Sequence, residues 1–317
     1  MGNLTAYLQS AFAEHCPGGW TSRAEVPLLS KELNELFGYS SRADILLAKN
    51  DDSRRLWIEF EVSRADPVAN HAKFATAHLF SRQRESDCFI SMVSSHVVRG
   101  RRNLAANTIY VMREAGMNAF QTVLLPDFDP RRIKDLNHLD VGALGARMLP
   151  VRREIERAIS ISESVVATRE KRIYFASNLL EVMLNLRRWN RELLTPEGRD
   201  LWGTRTIRYF VFDPRSRDFA PSKFCAYVPV DRVVERFSGR TVVEMTVGLY
   251  ATLETESSFD GHRARNHLAR NLAMNKFDSR ERPDILELFG QWLDGYGSAV
   301  NVHPAGPVFL VPDDWWI

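Results

Sequence analysis

Residues 42–67 read RADILLAKNDDSRRLWIEFEVSRADP. Two apolar runs, ADILLAK and RRLWIEFEV, flank the polar turn NDDS, which predicts two neighbouring strands. Because side chains alternate along a strand, the second run puts Trp57, Glu59 and Glu61 on one face. A neighbouring strand that begins at Asp44 brings a third carboxylate beside the two glutamates.

Three carboxylates this close repel one another, and burying them is unfavourable unless a cation lies among them. Mg²⁺ prefers an octahedral shell of oxygen ligands and keeps several waters. A water on such an ion is a nucleophile, and the ion stabilises charge that develops on a phosphate. The residues therefore predict a Mg²⁺ site. The alternative is a strand that faces solvent, with its glutamates paired to Arg54, Arg55 or Arg64.

The segments around this stretch predict an α/β layer structure. An amphipathic helix and an extended segment precede it, with a short helical turn that ends at Gly38. After it, Asp66-Pro67 is typical of a helix start, and CFISMVSS, RNLAANTIYVMREAG and FQTVLLP predict a strand, a helix and a strand. We expect a mixed sheet flanked by helices over residues 1–126.

The sequence pattern after residue 126 predicts two further segments. Residues 127–150 look like a connection with turns, residues 151–192 are helical, and TPEGRD is a turn. From Thr204 onward, strand-like runs alternate with two helical ones. We expect a connecting and helical block over 127–203 and an α+β domain for DNA recognition or dimerisation over 204–317.

Composition excludes several classes of protein. The 317 residues and 44% apolar content suffice for two domains with their own cores. No run of 18 apolar residues and no export signal occurs, so we expect a cytoplasmic protein that does not enter a membrane. Cys16, Cys88 and Cys225 are far apart, which argues against a zinc ribbon or a disulfide framework. Walker, GxGxxG and GxSxG motifs are absent from the sequence.

Arginine dominates the positive charge, with 35 arginines among the 42 basic residues and a net charge of only +2. Its planar guanidinium matches phosphate oxygens and the guanine edge. A GC-rich genome would produce the same bias, so position is more informative. Candidate DNA-binding arginines lie at a helix start, in the helical block and in a basic C-terminal helix: Arg99, Arg101, Arg102, Arg187, Arg188 and Arg263. The alternative is that these are solvated surface charges, and Trp189 beside two of them is interpreted as a packing residue.

The spacing of Asp44, Glu59 and Glu61 resembles the signature of the PD-(D/E)XK nuclease superfamily, to which many type II restriction endonucleases belong. The resemblance covers residues 1–125. Ala43 stands where the signature has proline, and Glu61 stands where lysine is usual, as in the restriction enzymes that carry ExE.

The resemblance implies that Asp44 and Glu59 bind Mg²⁺ with the Phe60 carbonyl and that Glu61 positions or activates the attacking water. Lys73 could replace the missing ammonium, although a solvated lysine is the alternative interpretation. Either Glu14 or Glu25 could add a ligand to the ion.

The implied function is that of a type II site-specific deoxyribonuclease, a Mg²⁺-dependent hydrolase of double-stranded DNA. It would leave 5′-phosphate and 3′-hydroxyl ends, and cutting of both strands favours a homodimer. The alternatives are a non-cleaving DNA-binding or regulatory protein on the same scaffold, and a repair or transposon-end nuclease.

Overall fold

The chain forms two compact units in a computed structural model. The structure describes residues 2–62, 67–167, 173–175, 179–203, 206–222, 226–229, 248–251, 261–296 and 299–316. The first unit contains the elements up to residue 167, and the second contains those from residue 173 onward.

The first unit alternates helices and strands. Its elements are α1 (Asn3–Glu14), β1 (Trp20–Pro27), α2 (Lys31–Phe37), β2 (Arg42–Lys49), β3 (Arg55–Glu61), α3 (Pro67–Phe80), β4 (Cys88–Ser94), α4 (Arg99–Glu114), β5 (Ala119–Leu124), α5 (Pro130–His138), α6 (Val141–Gly145) and α7 (Val151–Ala167).

Five strands form one mixed sheet in the order β1-β2-β3-β4-β5. The first three are antiparallel neighbours, and β4 and β5 then run parallel to β3. The predicted mixed α/β sheet is confirmed, including a start of α3 at Pro67 and an end of α2 at Gly38, whose φ of 72° suits glycine. Asp66, the predicted helix cap, lies outside the described residues.

Helices pack on the sheet through apolar side chains. The helices α3 and α4 meet over a cluster that includes Phe74, Phe89 and Ile109. The helix α1 contacts β1 and β2 as well as the three helices that follow β5. Those helices correct one prediction, because residues 130–138 and 141–145 are helical rather than a turn-rich connection. Asp129 and Asp140 cap them by accepting backbone N–H bonds.

The second unit begins within the predicted helical block. Its elements are β6 (Ile173–Phe175), α8 (Leu179–Leu193), α9 (Pro196–Gly203), β7 (Thr206–Ile207), β8 (Tyr209–Asp213), β9 (Asp218–Pro221), β10 (Ala226–Pro229), β11 (Gly248–Ala251), α10 (His262–Asn271), β12 (Asn275–Asp278), α11 (Pro283–Tyr296), β13 (Asn301–Val302) and β14 (Val308–Val311). Two local predictions were wrong: β6 is a strand inside the block expected to be helical, and TPEGRD begins the helix α9 instead of a turn.

A four-stranded sheet of order β12-β14-β8-β9 carries the core of the second unit. Phe210, Phe219 and Phe289 pack against one another there. Trp189 is fully buried in the same core, so its interpretation as a packing residue is confirmed. Among the helices of the described ranges, none is long and apolar enough to cross a membrane.

Candidate functional site

Asp44 and Glu59 meet where β2 and β3 separate. The ladder between these strands ends at the Ile45–Ile58 pair, one residue before Asp44 and Glu59. The Phe60 amide there donates to Asp44 Oδ2 over 2.7 Å instead of to a strand carbonyl. The carboxyl groups of Asp44 and Glu59 are neighbours, and the charge of Asp44 raises the pKa of Glu59. Two buried carboxylates this close repel each other, which favours a proton on one of them.

The predicted pair Glu59 and Glu61 is buried, with only 5% and 3% of each residue exposed. The alternative of a solvent-facing strand paired to nearby arginines does not hold for two of the three named arginines. Arg54 is itself buried and donates to Ser162 Oγ, and Arg55 binds Asp52. Arg64 lies outside the described residues.

Burial changes the acidity of the two paired carboxyl groups. It raises the pKa of Asp44 from 3.8 to about 6, and the charge of Glu25 adds to this effect while the Phe60 N–H bond opposes it. The pKa of Glu59 is raised well above its usual range, first by burial and then by the charges of Asp44 and Glu61. Among the described residues, no Arg or Lys charge lowers the pKa of Asp44 or Glu59. Buried acids with perturbed pKa values are candidates for functional groups.

Glu25 joins the pair through a glutamine of α1. Gln9 Nε2 donates to Glu25 Oε1 over 2.7 Å and to Asp44 Oδ1 over 3.3 Å. The backbone of Glu25 has a φ of 52°, in the left-handed region, and the β1–β2 ladder passes from the Ala24–Ile45 pair to the Val26–Ala43 pair. Strain of this kind in a strand is often retained where it orients a functional side chain. Of the two open candidates for a further ligand, Glu25 lies at the site, whereas Glu14 is exposed near Tyr7.

Glu61 is held by the next helix. Asn70, in the first turn of α3, donates to Glu61 Oε1 over 2.9 Å. Lys73 lies one turn further along α3 and is half-buried. In the described part of the chain, the Lys73 ammonium has no ion pair with Glu59 or Glu61. The structure therefore brings Asp44, Glu59 and Glu61 into one region without linking Lys73 to them.

A row of polar side chains continues the site across the sheet. Glu59 is in register with Ser91 of β4, and Ser91 is in register with Gln121 of β5. Partners in parallel strands point to the same face and lie about 5 Å apart, so the row extends about 10 Å from Glu59. Gln121 Nε2 donates to the carbonyl of Arg102 over 3.2 Å. This bond places the first turn of α4 above the end of the row.

That first turn carries three of the predicted DNA-binding arginines. Arg99 and Arg101 are exposed, and Arg102 is half-buried. The helix has 16 residues, and Val98 at its start supplies no side-chain cap. The amides of Arg101 and Arg102 both donate to the Val98 carbonyl. The remaining candidates belong to the second unit: Arg187 is exposed and Arg188 half-buried on α8, and Arg263 is in the first turn of α10 with its side chain outside the description.

The donor atoms at the site fit a divalent cation by type. Asp44 and Glu59 offer carboxylate oxygens. The Phe60 amide donates to Asp44, whereas the Phe60 carbonyl, the predicted third ligand, accepts from the Val62 amide over 3.2 Å. Within the described ranges, no group of three or more His, Cys, Asp or Glu side chains stands in the geometry of a metal site. Repulsion between the two buried carboxylates favours a proton on one of them in the ion-free protein, so binding of an ion would release that proton.

Sequence reasoning missed Gln9, Asn70, Ser91 and Gln121. A signal was present for Gln9, which is a polar residue on the buried face of α1. Ser91 also interrupts an otherwise apolar face between Phe89 and Val93. No protein-family model, curated protein or solved structure matches the chain.

Proposed function

We propose that the chain is a Mg²⁺-dependent endonuclease that hydrolyses phosphodiester bonds in double-stranded DNA, with the sequence or modification specificity of a type II restriction enzyme. The observation that carries this proposal is the buried Asp44–Glu59 pair at the point where β2 and β3 separate. Buried acids with perturbed pKa values cluster at functional sites more often than elsewhere.

In this proposal, each acidic residue of the site has a separate role in hydrolysis. Asp44 and Glu59 would hold the ion, and the Phe60 carbonyl would become a third oxygen ligand on releasing the Val62 amide. A bound Mg²⁺ supplies a polarised water and compensates charge on the phosphate. Glu61, oriented by Asn70, positions the attacking water and accepts its proton. The water oxygen bonds to phosphorus, the bond to the 3′ oxygen breaks and that oxygen takes a proton, leaving 5′-phosphate and 3′-hydroxyl ends.

The α4 turn holds the DNA backbone in this proposal. Its arginines lie at the end of the polar row that begins at Glu59, and backbone contacts of this kind fix register without reading sequence. Because both DNA strands are cut, we propose a homodimer as the acting species.

The decisive experiment incubates supercoiled plasmid with the wild-type protein, with Mg²⁺ and with EDTA, beside Glu59→Ala. We expect nicked and linear products only with wild type and Mg²⁺. DNAs of known methylation, with the ends sequenced, would show whether cleavage is specific. Cleavage that persists in EDTA or in Glu59→Ala would refute the proposed site.

A second candidate is a DNA-binding protein that does not cleave. One observation favours it: the residue in the usual lysine position, Glu61, is bound by Asn70, and among the described residues Lys73 has no ion pair with the carboxylates. Tight binding without cleavage on every methylated and unmethylated DNA tested would favour this candidate over the first.

We expect the double variant Arg99→Gln/Arg101→Gln to weaken DNA binding to a similar extent for all sequences. The logarithm of the affinity falls as the logarithm of the salt concentration rises, and each lost phosphate contact makes this fall shallower by about 1. The double variant should therefore reduce the magnitude of the slope by about 2. Fluorescence anisotropy over a salt series measures the slope. Arg280→Gln is the control, because it removes an exposed arginine charge of the second unit that the proposed interface does not include. A slope equal to that of wild type would remove this turn from the interface.

A further inference from the structure

Ser91 has an unexplained hydroxyl beside the candidate ion site. The residue is fully buried, and its Oγ has no hydrogen-bond partner among the described residues. A buried hydroxyl without a partner is unfavourable, because it has lost its hydrogen bonds to water and gained none in the protein. The rows on either side of Ser91 along the sheet are Trp57–Phe89 and Glu61–Val93–Val123, so Phe89 and Val93 of its own strand are apolar.

The neighbours of Ser91 within its own row are both acceptors. Gln121 donates its Nε2 to the Arg102 carbonyl, and its Oε1 has no partner in the described part of the chain. On the other side is the carboxyl group of Glu59. The single O–H of Ser91 can serve only one of these acceptors at a time, and a charged acceptor forms the stronger hydrogen bond.

We propose that Ser91 is a positioning residue, whose hydroxyl donates to the Glu59 carboxylate when that carboxylate holds a divalent cation. This inference rests on the proposed function, because it needs Glu59 to be an ion ligand. The bond directs one oxygen of Glu59 towards Ser91 and leaves the other for the ion. Partners that orient a ligating carboxylate in this way typically strengthen ion binding about 10- to 100-fold.

The test compares Ser91→Ala with Thr122→Val in the full chain. Thr122 of β5 is also buried, with a hydroxyl that has no partner among the described residues, and its register partner is Met92, on the opposite face from Ser91. Binding of Mn²⁺ and Mg²⁺ is measured by titration calorimetry and by Mn²⁺ electron paramagnetic resonance. We expect Ser91→Ala to bind the ions about 10- to 100-fold more weakly and Thr122→Val to bind them as wild type does.

A cleavage assay over a Mg²⁺ series adds a readout that general damage to the fold would not give. Ser91→Ala should need about 10- to 100-fold more Mg²⁺ for half-maximal rate and then reach the wild-type maximum. Its thermal midpoint should equal or exceed that of wild type, because the variant removes an unpartnered buried hydroxyl. Wild-type ion affinity in Ser91→Ala, with cleavage intact in wild type, overturns this inference alone. Absence of ion binding by wild type overturns both this inference and the proposed ion site.

Discussion

Glu59→Gln should cleave plasmid DNA at least roughly 10³-fold more slowly than wild type, since it removes an ion ligand worth several kcal/mol of transition-state stabilisation. The same variant should bind DNA with unchanged affinity when no divalent ion is present. At pH 8 it should also unfold no more easily than wild type. Burial disfavours the charged form of Glu59, as the raised pKa shows, and glutamine carries no charge.

Glu154 provides the matched control for this prediction. Like Glu59 it is a buried glutamate of the first unit, but it has structural partners: it accepts from the Leu125 amide over 3.1 Å and forms an ion pair with Arg157. Burial raises the pKa of Glu154 too, but the Arg157 charge and the Leu125 N–H bond oppose that rise. Breaking such a buried pair by removing one partner lowers the free energy of unfolding by about 3–5 kcal/mol. We therefore expect Glu154→Gln to melt earlier and to cleave at the wild-type rate per folded molecule below its melting temperature.

Urea unfolding curves and single-turnover cleavage rates, measured on the same preparations, test the predictions for the two variants Glu59→Gln and Glu154→Gln. The opposite order, with Glu59→Gln unstable and Glu154→Gln inactive but stable, would mean that Glu59 is the structural acid. Cleavage by Glu59→Gln at the wild-type rate would show that the ion, if one is used, binds elsewhere.

The core of the site could be predicted because strand alternation and the order of elements are local in sequence. Glu59 and Glu61 share a face for that reason, and Asp44 is the third residue of the neighbouring strand β2. Three further features depend on register and tertiary packing, which sequence patterns do not fix. These are the bond from Gln9 across to Glu25, the placing of Ser91 beside Glu59, and the bond from Gln121 to α4.

The errors in the rest of the fold have a similar origin. The sequence TPEGRD contains the residues of a turn, yet Thr195 and Pro196 begin the helix α9, with Thr195 Oγ1 accepting from the Gly198 amide. Residues that form turns also begin helices, so composition alone does not separate the two outcomes. The strand β6 has only three residues and is defined by its pairing with β11. Such a short strand leaves almost no periodic signal in the sequence.

The ion-free protein should lose stability as pH rises from about 4 to about 7, and Asp44→Asn should remove much of this loss. Asp44 has an ordinary pKa of 3.8 and a folded-state pKa of about 6. Between these values the folded state binds more protons than the unfolded state, so the free energy of unfolding falls as pH rises. Since a tenfold change in an equilibrium corresponds to about 1.4 kcal/mol, the expected loss from Asp44 is roughly 2–3 kcal/mol. Glu59, whose pKa is also raised, acts in the same direction.

Asparagine imitates part of the protonated form of Asp44, because its oxygen can still accept from the Phe60 amide. Its nitrogen cannot accept the 3.3 Å bond from Gln9 Nε2. Thermal and urea unfolding in EDTA should therefore show Asp44→Asn no more stable than wild type near pH 4. Near pH 8 the variant should be more stable by roughly 2 kcal/mol. Adding Mg²⁺ at pH 8 should stabilise wild type but not Asp44→Asn. The expected gain in the free energy of unfolding is about 2.7 kcal/mol when the Mg²⁺ concentration is 100 times the dissociation constant. Two results together would contradict this prediction: the stability of wild type in EDTA rises between pH 4 and pH 7, and Mg²⁺ stabilises Asp44→Asn as much as wild type. Asp44 would then be an ordinary structural acid and not an ion ligand.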